Sequence, residues 1–298
     1  MPKTTPYAEQ LKRIPVRDAV IDVLATSTRY WEYGKSDAPL TLVFVHGFRG
    51  DHHGLEPVVA NLSGVRIIAP DLPGFGESSR FADRRHDIEN YADWLAEFTR
   101  VLGIEGTAVI VGHSFGSIIV SAAVARGLAA PRVVLINPIA APALAGPRGI
   151  LTRLAVAYYR AGALLPARLG FSLLRNPMIV RVMSETMAKT RDKKLRGWIH
   201  DQHDAYFSAF ADRDVVLEAF KASVSNDVSE FAGHIDQPVL LIASDRDDLT
   251  PIAAQQHLTS LFAAATLRVI PNVGHLIHYE APADAARYIQ EFVGRGDL

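Results

Sequence analysis

Six short, nearly uninterrupted apolar runs decide most of what this chain can become: Leu42–Val45, Val65–Ala69, Ala108–Val111, Val133–Ile136, Val239–Ala243 and Leu267–Ile270. Strands of this kind, without polar alternation, belong in a parallel sheet covered by helices on both faces. Helical spacing appears between them. In Asp87–Leu102, Ile88, Tyr91, Trp94, Leu95 and Phe98 fall on one helical face and Gly103 stands where a C-terminal cap belongs. Gly116–Leu128 and Pro282–Val293 show the same pattern, and Val16–Trp31 alternates loosely as an antiparallel edge hairpin does. The expected class is α/β, a mostly parallel, doubly wound sheet.

One stretch breaks this rhythm. Between Pro138 and Pro238 there is no buried-strand pattern, only amphipathic helical segments, with Pro166 interrupting any single long helix. The expected organisation is a core of residues 1–142 and 236–298 with an inserted helical cap of residues 143–235. With no Gly/Ser linker, the cap should pack on the core.

The charge balance is 31 Lys and Arg against 32 Asp and Glu, a formal charge of −1, which supplies no field for gathering nucleic acid. The absence of cysteine removes disulfides, thiolate metal ligands and a cysteine nucleophile together. The N-terminal MPKTTPYAEQLKRIP lacks the apolar segment of a secretory signal, so the cytoplasm is the default location. Gly106–Ala125 carries no charged residue over twenty positions, the length of a membrane span. Its β-branched first half, central Gly112-His113-Ser114-Phe115-Gly116 and Ala/Ser-rich second half instead predict strand, turn and helix, with no stable membrane insertion.

That central segment is the sharpest chemical signal. A serine on a tight turn between a buried strand and a helix has its hydroxyl pushed outward, and small residues are needed where the backbones close on each other. The next helix adds positive potential where an oxyanion would form. Together with His46-Gly47-Phe48 after an earlier strand and Asp71-Leu72-Pro73-Gly74-Phe75-Gly76-Glu77-Ser78 after the next, the elbow resembles the α/β-hydrolase fold family. The resemblance covers about residues 16–142 and 236–296. It implies the backbone N–H groups of Phe48 and Phe115 as oxyanion-hole donors, and a structural role for His46.

The same resemblance implies the order serine, acid, histidine along the chain. In PVLLIASDRDDLTP, Ser244 and Pro251 point to Asp247 as the acid, with Asp245 and Asp248 as close competitors. Gly274-His275, followed by Glu280 and Pro282, resembles the family's G-H-x-x-x-x-E-x-P and implies His275 as the base; His278 has no such context. The remaining histidines form no zinc spacing such as H-E-x-x-H, so neither metal nor cofactor is expected. The implied chemistry is covalent acyl transfer, in which Ser114 attacks a carbonyl, His275 takes its proton and Asp247 stabilises the imidazolium.

A serine at the elbow argues against epoxide opening and halide displacement, for which related folds use aspartate. Cleavage of a small-molecule carboxylic ester leads. C–C bond hydrolases of aromatic ring degradation, cofactor-free haloperoxidase-like proteins and slow-turnover ligand receptors share the triad and stay open. From Arg148 to Arg196 eleven basic residues face two acids, Glu185 and Asp192. This excess could be a solvated face, a lipid contact or a site for a substrate carboxylate, and Arg49 beside the oxyanion segment is a competing candidate for that carboxylate. HGFRGDHHG, DLPGFGESSRF and GHSFGS together are similar to actinobacterial hydrolases of monoalkyl phthalates, which implies an anionic monoester as substrate.

Overall fold

A computed structural model describes residues 5–141 and 149–294 of the chain. Eight strands form one sheet: β1 (Val16–Val23), β2 (Thr26–Tyr33), β3 (Thr41–Val45), β4 (Arg66–Pro70), β5 (Val109–His113), β6 (Val133–Ile136), β7 (Val239–Ser244) and β8 (Ala265–Ile270). Their spatial order is β1-β2-β4-β3-β5-β6-β7-β8. β1 and β2 form the expected antiparallel hairpin, and β2 runs antiparallel to β4; all remaining pairs are parallel.

The apolar runs are continuous because both faces are covered. On β3, Val43 and Val45 point into the layer beneath helices Ile88–Val101 and Phe115–Ala125, while Leu42 and Phe44 point to the opposite layer with helix Pro282–Val293. All four are fully buried, each contributing about 1.5–3 kcal/mol of hydrophobic stabilisation. β8, at the sheet edge, is only half-buried. Asp87 caps helix Ile88–Val101 by accepting the Asn90 N–H at 3.0 Å, and Gly103 follows it at φ +66°. The uncharged stretch 106–125 divides into β5 and helix Phe115–Ala125, and no helix among the described residues is long and apolar enough to cross a membrane.

Between β6 and β7 the described residues form six helices and no named strand: Gly149–Leu164, Ala167–Leu174, Pro177–Met187, Lys193–Tyr206, Arg213–Ser225 and Ser229–Ala232. Pro166 is the N-cap of the second, which is where the chain was expected to break. Asn176, Asp192 and Asp212 cap the next three through side-chain oxygens. The 142–143 junction, Arg148 and the side chain of Arg153 lie outside the described residues.

Candidate active site

The chemistry-bearing residues stand at the C-terminal ends of the parallel strands, where crevices open in doubly wound sheets. Ser114 follows β5 at φ +52° and ψ −117°, a strained conformation for a residue with a side chain. The turn leaves no room for side chains on either flank: a Cβ at Gly112 would lie 2.5 Å from the Gly116 carbonyl oxygen, and one at Gly116 would lie 2.3 Å from that of Val45. Only glycine therefore fits on either side of the serine.

Ser114 Oγ lies 2.8 Å from His275 Nε2, and His275 Nδ1 lies 2.7 Å from Asp247 Oδ2. Three side chains from loops after β5, β7 and β8 thus form one hydrogen-bonded line. With Nδ1–H donated to the carboxylate, Nε2 is left to accept from the serine hydroxyl. Of the three neighbouring aspartates only Asp247 is buried; Asp245 is exposed and Asp248 pairs with Lys189. Burial of Asp247 works to raise its pKa. The facing His275, the Thr250 hydroxyl at 2.6 Å and the Leu249 N–H at 2.8 Å outweigh that and hold the carboxyl at about 2.

Sequence reasoning missed Asn137. It follows β6 at φ +44°, and its Nδ2 donates to Asp247 Oδ2 at 3.1 Å and to Ser244 Oγ at 3.0 Å. The available signal was an asparagine, a residue tolerant of left-handed backbone, at the C-terminal end of an apolar run. His278 lies beside the site with its ring centroid 4.1 Å from that of His113. Burial lowers the pKa of both rings, that of His113 to about 3.

Phe115 is the first residue of its helix, so its N–H has no intrahelical partner. The Phe48 N–H donates to no acceptor among the described residues. The loop bearing it is fixed by His46, whose Nε2 accepts the Leu72 N–H at 2.8 Å while Nδ1 bonds the Gly47 carbonyl at 2.8 Å. Burial lowers the His46 pKa and keeps the ring in the neutral form this double role requires. The Phe48 ring packs against Phe75, Phe115, Tyr159 and Phe220, an aromatic wall shared by core and cap.

Arg49 is not placed as a free carboxylate ligand. It is 1% exposed, and its guanidinium donates to the carbonyls of Phe207 and Leu174, both at 2.9 Å, to the Tyr159 hydroxyl at 3.3 Å and to Ser208 Oγ at 3.5 Å. Phe207 lies against its flat face, 4.6 Å away. This arginine pins the cap to the loop after β3, and its donors are committed to cap oxygens. Part of the cap's basic excess is likewise engaged: Arg181 with Asp204, Lys189 with Asp248, Arg175 with the Phe210 carbonyl and Arg196 with that of Thr190.

Two other polar clusters invite comparison with the site. Asp51, His52 and His53 hold ligand-type atoms within 4.8 Å of one another, close enough for a metal ion. Asp51, however, accepts the His53 N–H as a helix cap, and the His52 ring bonds Asp71 Oδ1 at 3.0 Å while stacking on Trp31. In the cap, Ser184 Oγ lies 2.6 Å from His200 Nδ1, and His200 Nε2 lies 3.0 Å from Glu185. This second serine-histidine-carboxylate line has a fully buried hydroxyl, also shared with His203 Nδ1 at 2.7 Å, and it sits inside helices rather than at an elbow. A surface hollow of about 250 Å³ is lined by Lys189, Arg191, Arg246, Val273 and Glu280 among others, and Ser114 is not part of its lining.

Residues 42–287 match the model of the alpha/beta hydrolase family. The chain is 28% identical over 278 residues to the magnesium-chelatase 30 kDa subunit of Rhodobacter capsulatus, covering 91% of this chain and 92% of that protein. It is 26% identical over 286 residues to the uncharacterized hydrolase YugF of Bacillus subtilis, covering 94% and 98%. Among solved structures, an esterase from Exiguobacterium antarcticum superposes with a TM-score of 0.76 at 15% identity, covering 93% of this chain and all of the other. With the sheet order, the strained serine turn and a family match spanning both halves of the core, the chain belongs to the alpha/beta hydrolase family.

Proposed function

We propose that this protein is a serine hydrolase of carboxylic esters, working through an acyl-enzyme. The observation that carries the reading is the hydrogen-bonded line Ser114, His275, Asp247 at the mouth of the sheet. In the first half-reaction His275 Nε2 takes the proton of Ser114 Oγ as the oxygen attacks the ester carbonyl, and the Phe48 and Phe115 N–H groups receive the developing oxyanion. The imidazolium, stabilised by Asp247, returns its proton to the departing alcohol. Water, deprotonated by the same ring, then releases the acid and restores the serine. In this reading residues 1–142 and 236–298 form the catalytic core, and residues 143–235 form the cap that bounds the substrate space.

The substrate class that the basic cap favours is an anionic monoester, such as a monoalkyl phthalate. One well-placed charged contact is worth ~1.5–3 kcal/mol, roughly ten- to a hundredfold in kcat/KM. Monobutyl phthalate should therefore exceed dibutyl phthalate by that margin at low salt, and added salt should narrow the difference. Equal kcat/KM for the two esters would assign the charge to a solvated face and remove the phthalate reading. Sustained turnover of a simple p-nitrophenyl ester supports the broader esterase reading; a single stoichiometric release followed by arrest would instead mark a slow-turnover receptor.

A further inference from the structure

The segment joining cap helices Pro177–Met187 and Lys193–Tyr206 runs across the loop that carries His275, and one carboxylate fastens the two together. Glu280 Oε1 accepts the N–H groups of Lys189 at 2.5 Å and Thr190 at 2.9 Å, while Oε2 accepts the N–H of Gly274 at 2.9 Å. Gly274 is held from its carbonyl side as well. Its carbonyl accepts the Ser244 hydroxyl at 2.6 Å, and Ser244 in turn accepts from Asn137, the residue that also holds Asp247.

A side-chain ion pair and a close steric fit also bring this segment against the site's loops. Lys189 Nζ lies 2.6 Å from Asp248 Oδ2, next to Asp247 in the chain. A Cβ at Gly274 would come within 2.5 Å of Lys189 Cγ and 2.9 Å of the Met187 carbonyl oxygen, so the segment can seat only over a glycine. A carboxylate that merely satisfied stray N–H groups would serve one segment. Glu280 serves two, with charge-assisted bonds on each of its oxygens.

Building on the serine-hydrolase reading, we propose that Glu280 is a positioning residue that couples seating of the cap strap, residues 187–191, to the register of His275 against Asp247. When the strap lifts, the Glu280 carboxylate loses the Lys189 and Thr190 N–H groups that fix its orientation, its hold on the Gly274 N–H loosens, and the imidazole can rotate away from the Ser114 hydroxyl. A displacement of about 1 Å at a catalytic group can cost about a hundredfold in rate. The cap thus acts on the chemical step through a backbone clamp as well as by bounding the substrate space.

Three variants test this with a p-nitrophenyl ester, a small organophosphonate that reacts with Ser114, and limited trypsin digestion. Glu280→Gln exchanges one accepting oxygen for an amide group that cannot accept, so either the strap or the Gly274 arm must open. Gly274→Ala displaces the strap while leaving Glu280 in place, and carries the test if the glutamine variant does not fold. Both should lower kcat by about 10–100-fold with KM within about threefold, and slow phosphonylation by the same factor. Both should also speed cleavage after Lys189 or Arg191. Lys189→Ala keeps its backbone N–H and should lose no more than about threefold in kcat. Unchanged kcat in both clamp variants, a loss confined to KM, or a loss of kcat without faster strap cleavage would overturn the proposal. Failure of the serine reading would show separately, as turnover retained in Ser114→Ala, whereas strap cleavage reports on the clamp independently of that chemistry.

Discussion

Replacing Ser114 with alanine should lower ester turnover by about 10⁴-fold or more, because members of a nucleophile-base-acid unit lose nearly the whole covalent route when the first is removed. In the proposed mechanism what remains is binding and the polarising N–H groups of Phe48 and Phe115. The fold should survive: the substitution deletes one hydroxyl, whose bond to His275 Nε2 is the interaction it gives up, and leaves the glycines that shape the turn untouched. The φ of +52° is already borne by a residue with a Cβ, so alanine adds no new steric demand. The check is steady-state turnover on purified variant whose circular dichroism and melting temperature match wild type. More than a few per cent residual activity would remove the serine mechanism.

The second large effect concerns the acid. Asp247→Asn should cost about 10²–10⁴-fold in kcat/KM, because an amide facing His275 Nδ1 favours the tautomer that cannot accept the serine proton and does not stabilise the imidazolium. Asp245→Asn should fall within about twofold of wild type, and Asp248→Asn within about threefold, because these carboxylates do not meet the imidazole. A dominant loss at Asp248 would contradict the geometry. The Asp247 carboxyl is held at about 2, below its ordinary 3.8. A depressed folded-state pKa contributes stability that is present above the ordinary value and lost as pH falls through the folded one. Wild type should therefore lose this contribution between roughly pH 4 and pH 2, and Asp247→Asn should show a shallower acid decline in melting temperature over that window.

Much of this architecture follows from local pattern. Runs such as Val133–Ile136 and Val239–Ala243 became β6 and β7 nearly residue for residue, since a strand buried on both faces admits few polar residues. Ser114 was legible because the glycines beside it answer a steric demand visible in sequence, and His275 because glycine, glutamate and proline surround it in a fixed order. Asp247 stood among competitors. Its choice depends on which carboxylate turns inward, and the strand end, Ser244 and Pro251 carried just enough register to select it.

Other parts depend on where distant segments meet. Asn137 is an ordinary loop residue until β6 and β7 bring it to the Asp247 carboxylate. Arg49 presents itself in sequence as a charge beside the oxyanion segment, but its partners Leu174 and Phe207 lie more than a hundred residues away in the cap. A count of basic residues has the same weakness. It registers Arg181 and Lys189 as excess charge although Asp204 and Asp248 face them across the fold. Glu280 was legible as part of a motif, while its grip on Lys189 and Thr190 appears only when the cap lies on the His275 loop.

The most direct measurement is intact-protein and peptide mass spectrometry after exposure to a small organophosphonate. The mechanism requires one phosphonyl group per chain, carried by the peptide containing Ser114, with activity lost in proportion to labelling. Ser184, the other serine that among the described residues faces a histidine and a carboxylate, should stay unmodified because its hydroxyl is fully buried. Label on Ser184 or another residue, or full esterase activity with Ser114 unlabelled at saturating reagent, would contradict the assignment of Ser114 as the nucleophile.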